Sequence, residues 1–99
     1  MAAFPVRAVY IIKERAHEEP PVLLLVSVSK RHFKHAVDRN RVKRQIREAY
    51  RQNKQLLTEA VPESHQLLMA LIWLADEHYP SWEIEKRVVR LLQRIAEKL

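Results

Sequence analysis

The 99-residue chain contains neither cysteine nor glycine. Without cysteine there can be no disulfide, no thiolate–zinc centre and no cysteine nucleophile, a usage that suits the cytoplasm. The absence of glycine is less ordinary, since average usage near ~7% would supply about seven. Phosphate cradles of the Walker or dinucleotide type need glycine where backbone meets phosphate, and a nucleophile elbow needs it beside the serine. All three are excluded. No apolar run approaches the ~20 residues that cross a bilayer. The opening Met1-Ala2-Ala3-Phe4-Pro5 has neither the basic nor the apolar region of a secretory leader, so we expect a cytoplasmic protein with no membrane partner. Acidic residues are also few: 12 against 18 Lys and Arg, giving +6 and a pI near 10.0. That imbalance favours an anionic partner. What remains is a chain of 11.8 kDa, 47% hydrophobic, sized for one domain over residues 1–99.

The charge is concentrated. Residues 30–54 hold ten cations, Lys30, Arg31, Lys34, Arg39, Arg41, Lys43, Arg44, Arg47, Arg51 and Lys54, opposed only by Asp38 and Glu48. The rest of the chain carries eight basic and ten acidic groups. A solvated face normally mixes both signs, so this segment reads as a binding surface.

Hydrophobic periodicity sets the elements. Val6 to Lys13 alternates as a strand, and the polar stretch Glu14 to Pro21 breaks it. Val22 to Ser29 is a second strand, and a hairpin between the two is the simplest pairing, although its loop exceeds the preferred ~2–5 residues. From Asp38 to Leu57 the period becomes helical, with Asp38 placed to cap the N-terminus. The apolar run Gln66 to Leu74 reads as a buried strand. Ser81 is placed to cap a final helix whose Ile84, Val88, Leu91, Leu92, Ile95 and Leu99 share one face. The order β-β-α-β-α describes a small two-layer α-β sandwich of the α+β class.

On a wheel with Val42 at zero, Lys43, Lys54, Arg47, Asn40, Arg51 and Arg44 lie between about 100° and 200°. Gln45, Glu48 and Gln52 occupy the opposite flank. Cations gathered in one sector can reach phosphates from one side, and arginine favours bidentate contacts. The first turn adds free N–H groups beside Arg39 and Arg41. A strand precedes this helix, which argues against helix-turn-helix reading of DNA. No zinc-finger spacing or heptad zipper is present. A basic helix against a sheet suits shaped RNA.

The segment Ser27-Val28-Ser29-Lys30-Arg31, then Ala36-Val37, Arg39-Asn40-Arg41 and Lys43-Arg44-Gln45-Ile46-Arg47-Glu48, resembles the signature of the bacterial ribonuclease P protein subunit. The resemblance implies a protein partner of a catalytic RNA that removes the 5′ leader from precursor transfer RNA. It implies that this is the subunit of an endoribonuclease whose catalytic centre, with its Mg²⁺, lies in the RNA, with no organic cofactor and no catalytic residue in this chain. It implies that Arg39, Asn40, Arg41, Lys43, Arg44 and Arg47 face the RNA subunit, and the charge reading adds Lys30, Arg31, Lys34, Arg51 and Lys54 as RNA-binding residues. It also implies a leader-binding cleft at the sheet, with Tyr10 and Val28, and a chain monomeric apart from RNA. The strand–helix–strand crossover it implies is left-handed, against the rule for parallel strands. Two departures stand out: the usual N-terminal helix is absent from this sequence, and Leu25 stands where many members have glycine.

Other polar clusters read as sites of lesser promise. His32 and His35 lie among cations, a field hostile to a divalent metal, and suit extra RNA contact. Asp76-Glu77-His78 and His17-Glu18-Glu19 read as solvated loops, Trp73 and Trp82 as core and helix-docking residues. No metal site and no protein-borne active site emerges. The alternative function is a structural, ribosomal-protein-like RNA binder without a role in cleavage.

Overall fold

Alternation carries Val6–Glu14 into a nine-residue strand, β2, whose Val6 and Ala8 are fully buried while Arg7 and Val9 face solvent. The other elements, in a computed structural model that describes residues 1–99, are β1 (Ala2–Ala3), β3 (Val22–Ser27), α1 (Ala36–Asn53), α2 (Gln55–Thr58), β4 (His65–Trp73) and α3 (Ser81–Lys98). They form one four-stranded sheet in the order β1-β2-β4-β3. β4 is its centre, antiparallel to β2 from Val6↔Trp73 to Glu14↔His65 and parallel to β3 from Val22↔Leu67 to Ser27↔Ile72.

This topology corrects the expected hairpin. β2 and β3 do not pair with each other; each pairs with β4. Period-2 alternation reports which face of a strand is buried and says nothing about its partner. β4 takes the middle because it is apolar on both faces, as interior strands are. The parallel β3–β4 pair cannot close with a tight turn, so the chain crosses between them through α1 and α2.

Smaller differences have local causes. β3 ends at Ser27, and Ser29 begins a turn in which its carbonyl accepts from the His32 and Phe33 N–H groups. α1 starts two residues before Asp38, with His35 as a cap residue that makes no side-chain bond. Asp38 therefore sits in the first turn, still favourable to the helix dipole. It does not cap the helix. Ser81 is likewise the first residue of α3 after Pro80, and its Oγ accepts from Gln45 Nε2 at 3.0 Å instead of capping. The helix expected to run to Leu57 breaks after Asn53, and α2 continues it as one separate turn. The short β1, paired with β2 through Ala2↔Arg7 and Ala3↔Val6, has no signal in the pattern at all.

Both long helices lie on one side of the sheet. Val42, Ile46 and Ala49 of α1 and Ile84, Val88, Leu91, Leu92 and Ile95 of α3 meet Val6, Ala8, Val26, Leu67, Met69, Leu71 and Trp73 in a single core. Trp73 stacks edge-on with Tyr79 at 5.5 Å. The opposite face is open: Val9, Ile11, Leu23 and Leu25 are exposed there. The neutral flank expected on α1 proves to be its seam with α3. Gln45 Nε2 also donates to the Tyr79 carbonyl at 3.2 Å, and Asn53 Nδ2 donates to Glu85 Oε2 at 3.0 Å.

Candidate RNA interface

Because that seam occupies one flank of α1, the basic sector points away from α3 and into solvent. Asn40, Lys43, Arg44, Arg47, Glu48 and Arg51 line an open depression of 350 Å³ with no apolar residue in it. Lys30, Arg31, Lys34, Arg41 and Lys54 are exposed outside it, the first three on the loop leading into α1. An anionic strand laid along this face would meet guanidinium and ammonium groups from successive turns, the arrangement that phosphate backbones require.

Two of the ten cations are already engaged within the protein. Arg39 Nη1 donates to the carbonyls of Phe33 at 3.0 Å and Lys34 at 2.8 Å. It ties the end of the loop that carries Lys30, Arg31 and Lys34 to the first turn of α1. Arg51 is held by Glu48, Nε to Oε2 at 3.0 Å with Nη2 on Oε1, and Gln52 Nε2 adds a bond to the same carboxylate at 3.0 Å. The Arg51 hydrogen bond holds the Glu48 carboxyl below its ordinary pKa, and Glu48 in turn raises that of Arg51. Glu48 therefore does not simply point away, as its place on the wheel suggests. Its side chain is long enough to reach one turn along and neutralise the far end of the groove.

The loop before α1 is anchored by residues whose expected roles differ: His32 as an RNA contact, Asp38 as a helix cap, and Asp76 and His78 as part of a solvated loop. His32 Nδ1 lies 2.7 Å from Asp76 Oδ1, with the imidazole side chain only 10% exposed. His78 Nε2 lies 3.0 Å from Asp38 Oδ1. The His78 ring stacks on Phe33 at 4.5 Å and 17°, and Phe33 is buried. Asp76 and His78 thus belong to a clasp between the β4–α3 loop and the start of α1, while the Asp76 and Glu77 side chains remain exposed, as expected of a solvated loop. His32 is drawn into the same clasp, which leaves His35 as the exposed histidine of the pair. Nothing in the local sequence foretells these contacts, since each joins residues about 40 positions apart.

The expected cleft residues separate. Val28 is 7% exposed and belongs to the core, so it has almost no surface to offer a leader. Tyr10 is half-buried, on the helix-covered face with Val6 and Ala8, and packs against the core edge.

Comparison with known proteins places this arrangement. The family model for ribonuclease P matches residues 4–96. The ribonuclease P protein component of Porphyromonas gingivalis is 37% identical over 94 residues, covering 94% of this chain and 68% of that protein. The corresponding component of Chlorobaculum tepidum is 43% identical over 76 residues, covering 71% of this chain and 49% of its own length. Among solved structures, the RNase P protein from Thermotoga maritima superposes with a TM-score of 0.62 at 22% identity, over 88% of this chain and 76% of that one, a likeness of fold. With a strand leading into a basic Arg-Asn-Arg helix and a match over nearly its whole length, the chain belongs to the ribonuclease P protein family.

Proposed function

We propose that this protein binds the RNA subunit of ribonuclease P through the basic face of α1 and promotes cleavage of the 5′ leader from precursor transfer RNA. The observation that carries the proposal is the groove of Asn40, Lys43, Arg44 and Arg47, free of apolar residues and turned away from the rest of the fold. Lys30, Arg31 and Lys34, set in place by Arg39 and the histidine clasp, extend it. The protein's part is electrostatic. Two polyanions, an RNA subunit and a precursor, repel each other, and a cationic face between them lowers that repulsion while releasing bound counterions.

The Mg²⁺ that the family implies does not fit this chain. The one carboxylate in the groove, Glu48, is saturated by Arg51 and Gln52, and the Asn40 amide alone cannot define a site among cations. We therefore assign the ion to the RNA, as part of the proposal. Leader binding, if it involves the sheet, rests on Tyr10, because Val28 is buried.

Reconstitution tests the reading. The purified chain mixed with its RNA subunit should raise the rate of precursor cleavage at low Mg²⁺, with little effect at high Mg²⁺, where the ion itself screens the phosphates. Binding without stimulation would instead favour a structural RNA-binding role, and cleavage by the chain alone would mean a protein-borne nuclease.

A further inference from the structure

Outside residues 30–54 the chain sums to a slightly negative charge, which conceals a second cationic surface. Five of the eight remaining cations, Lys86, Arg87, Arg90, Arg94 and Lys98, belong to α3. Arg87, Arg90 and Arg94 are spaced i, i+3, i+7 and so stand on one face in successive turns. They line a depression of 270 Å³ together with Ala2, Ala3 and Phe4. Arg94 Nη1 donates to the Ala2 carbonyl at 3.1 Å, which fixes the β1 end of the molecule against this helix face. Phe4, at the tip of the β1–β2 turn, is 57% exposed and stacks on no other ring.

We propose that Arg87, Arg90, Arg94 and Phe4 form a second RNA-binding strip, specific for a single-stranded segment. The proposal rests on the reading of the chain as an RNA binder and adds a separate site to it. Three guanidinium groups beside an unpartnered aromatic ring combine the two elements that single-strand binding uses: cations that track phosphates and a flat apolar plate on which an unpaired base stacks. A base inside a duplex has no free face for such a plate. The acidic groups on this side do not cancel the strip. Glu83 lies 3.8 Å from Arg87, whose buried Nε still lacks a hydrogen-bond partner, and Glu97 sits beyond Arg94 at the C-terminal end. Arg90 and Arg94 have no carboxylate partner.

Its position makes the strip distinct from the α1 groove. The α1 cations lie beyond the flank that packs on α3, and the α3 arginines meet β1 in a depression of their own, with Arg87 and Arg90 also bordering a hollow shared with Asn53 of α1. Between them runs the seam lined by Gln45, Glu48, Gln52, Trp82 and Glu85, neutral to acidic. The two surfaces are thus on opposite flanks of the helical layer, roughly 20 Å apart from one helix spacing plus the side-chain reach on each side. One strand of RNA would not cover both without crossing the acidic seam. Two segments can be held at once.

The test uses a fluorescein-labelled decauridylate, whose anisotropy is followed at low salt with the free chain and with the chain already bound to its RNA subunit. We expect the oligonucleotide to bind in both states. R90A/R94A should weaken it by about tenfold and F4A by about fivefold, with R90K/R94K restoring most of the loss and RNA-subunit affinity unchanged within about twofold. These side chains are exposed or half-exposed on the surface, and circular dichroism of each variant verifies the fold. Unaltered oligonucleotide binding by R90A/R94A, or its stoichiometric displacement by the RNA subunit, would overturn the second strip. R44A/R47A separates the two readings: if it leaves RNA-subunit affinity intact, the α1 assignment fails, whatever the oligonucleotide does.

Discussion

Helices α1 and α3 are both eighteen residues long, pack side by side on the same face of the sheet, and carry several arginines each. They differ in how much of each is buried. α3 places Ile84, Val88, Leu91, Leu92 and Ile95 in the core, a full apolar stripe, whereas α1 contributes only Val42, Ile46 and Ala49. The narrower stripe leaves α1 a wide polar circumference. One side of it bonds to α3 through Gln45 and Asn53, and the other is free to be cationic. α3 has the opposite balance, with a broad anchor and a narrower charged face whose cations are interrupted by Glu83 and Glu97. The lesson is that cation count along a helix says less than the arc left over after packing.

The largest effect expected from breaking this comparison lies in the core. Leu91→Ala should cost about 2–5 kcal/mol in urea unfolding, the usual range for a buried leucine. Arg44→Ala and Arg47→Ala should each change stability by less than about 0.5 kcal/mol, as exposed substitutions do. A large stability loss from the arginine variants would mean that α1's charged face is structural.

Next in size is RNA affinity. Each of Arg44→Ala and Arg47→Ala should weaken binding to the RNA subunit by roughly tenfold, the scale of one charge-assisted hydrogen bond. With about six free contacts, from Lys30, Arg31, Lys34, Lys43, Arg44 and Arg47, log affinity should fall against log salt with a slope of about −4, and each substitution should make it shallower by about 0.7. Titration at several salt concentrations measures both. An unchanged slope would remove these two residues from the phosphate contacts.

A third prediction concerns the clasp that sets the entry to α1. His78→Ala removes the partner of Asp38 and the ring stacked on Phe33, and should cost about 1 kcal/mol of stability. It should also weaken RNA binding, because Lys30, Arg31 and Lys34 lose their fixed loop. His78→Phe keeps the stacking without the hydrogen bond. It should recover part of the loop order, visible as slower amide exchange at Phe33 and Lys34, unless the aspartate contact alone does the anchoring.

The smallest effect is local to the Glu48–Arg51 pair. Glu48→Gln should raise RNA affinity a few-fold by freeing Arg51 and removing a negative charge from the groove. The folded-state pKa of Glu48 is lowered, so what the ionised pair contributes is present above the ordinary carboxylate range and is lost as pH falls through the depressed value. An NMR titration of the Glu48 carboxyl should show a midpoint below 4.5 that rises in Arg51→Ala. Equal midpoints in the two proteins would mean that Arg51 is free to contact RNA.

Much of this was legible in the residues. Both long helices follow from apolar spacing, because a helix lying on a sheet must bury one stripe whatever its partner. The three main strands follow from runs of β-branched and aliphatic residues bounded by polar or proline-containing stretches. The basic sector of α1 was readable for the same geometric reason: residues three and four apart share a face wherever the helix lies. Its sequence around Arg39-Asn40-Arg41 was specific enough to point to the family.

Strand partnership, by contrast, was decided only by the folded chain. Whether β2 pairs with β3 or with β4 depends on which strand fills the sheet's centre, a competition among distant segments that no local period records. The same holds for the clasp of His32, Asp76, His78 and Asp38, and for the tie from Arg39 to the loop carbonyls, which engages one guanidinium nitrogen of that arginine within the protein. Phe4 and the α3 arginines are the clearest case. Some eighty residues apart in the chain, they become one surface only because β1 pairs with β2 and α3 packs against β1. Sequence alone set which residues each element buries and which charges it shows. Tertiary structure decided which of those charges remain free, because side-chain reach and long-range packing act on distances that spacing along the chain does not encode.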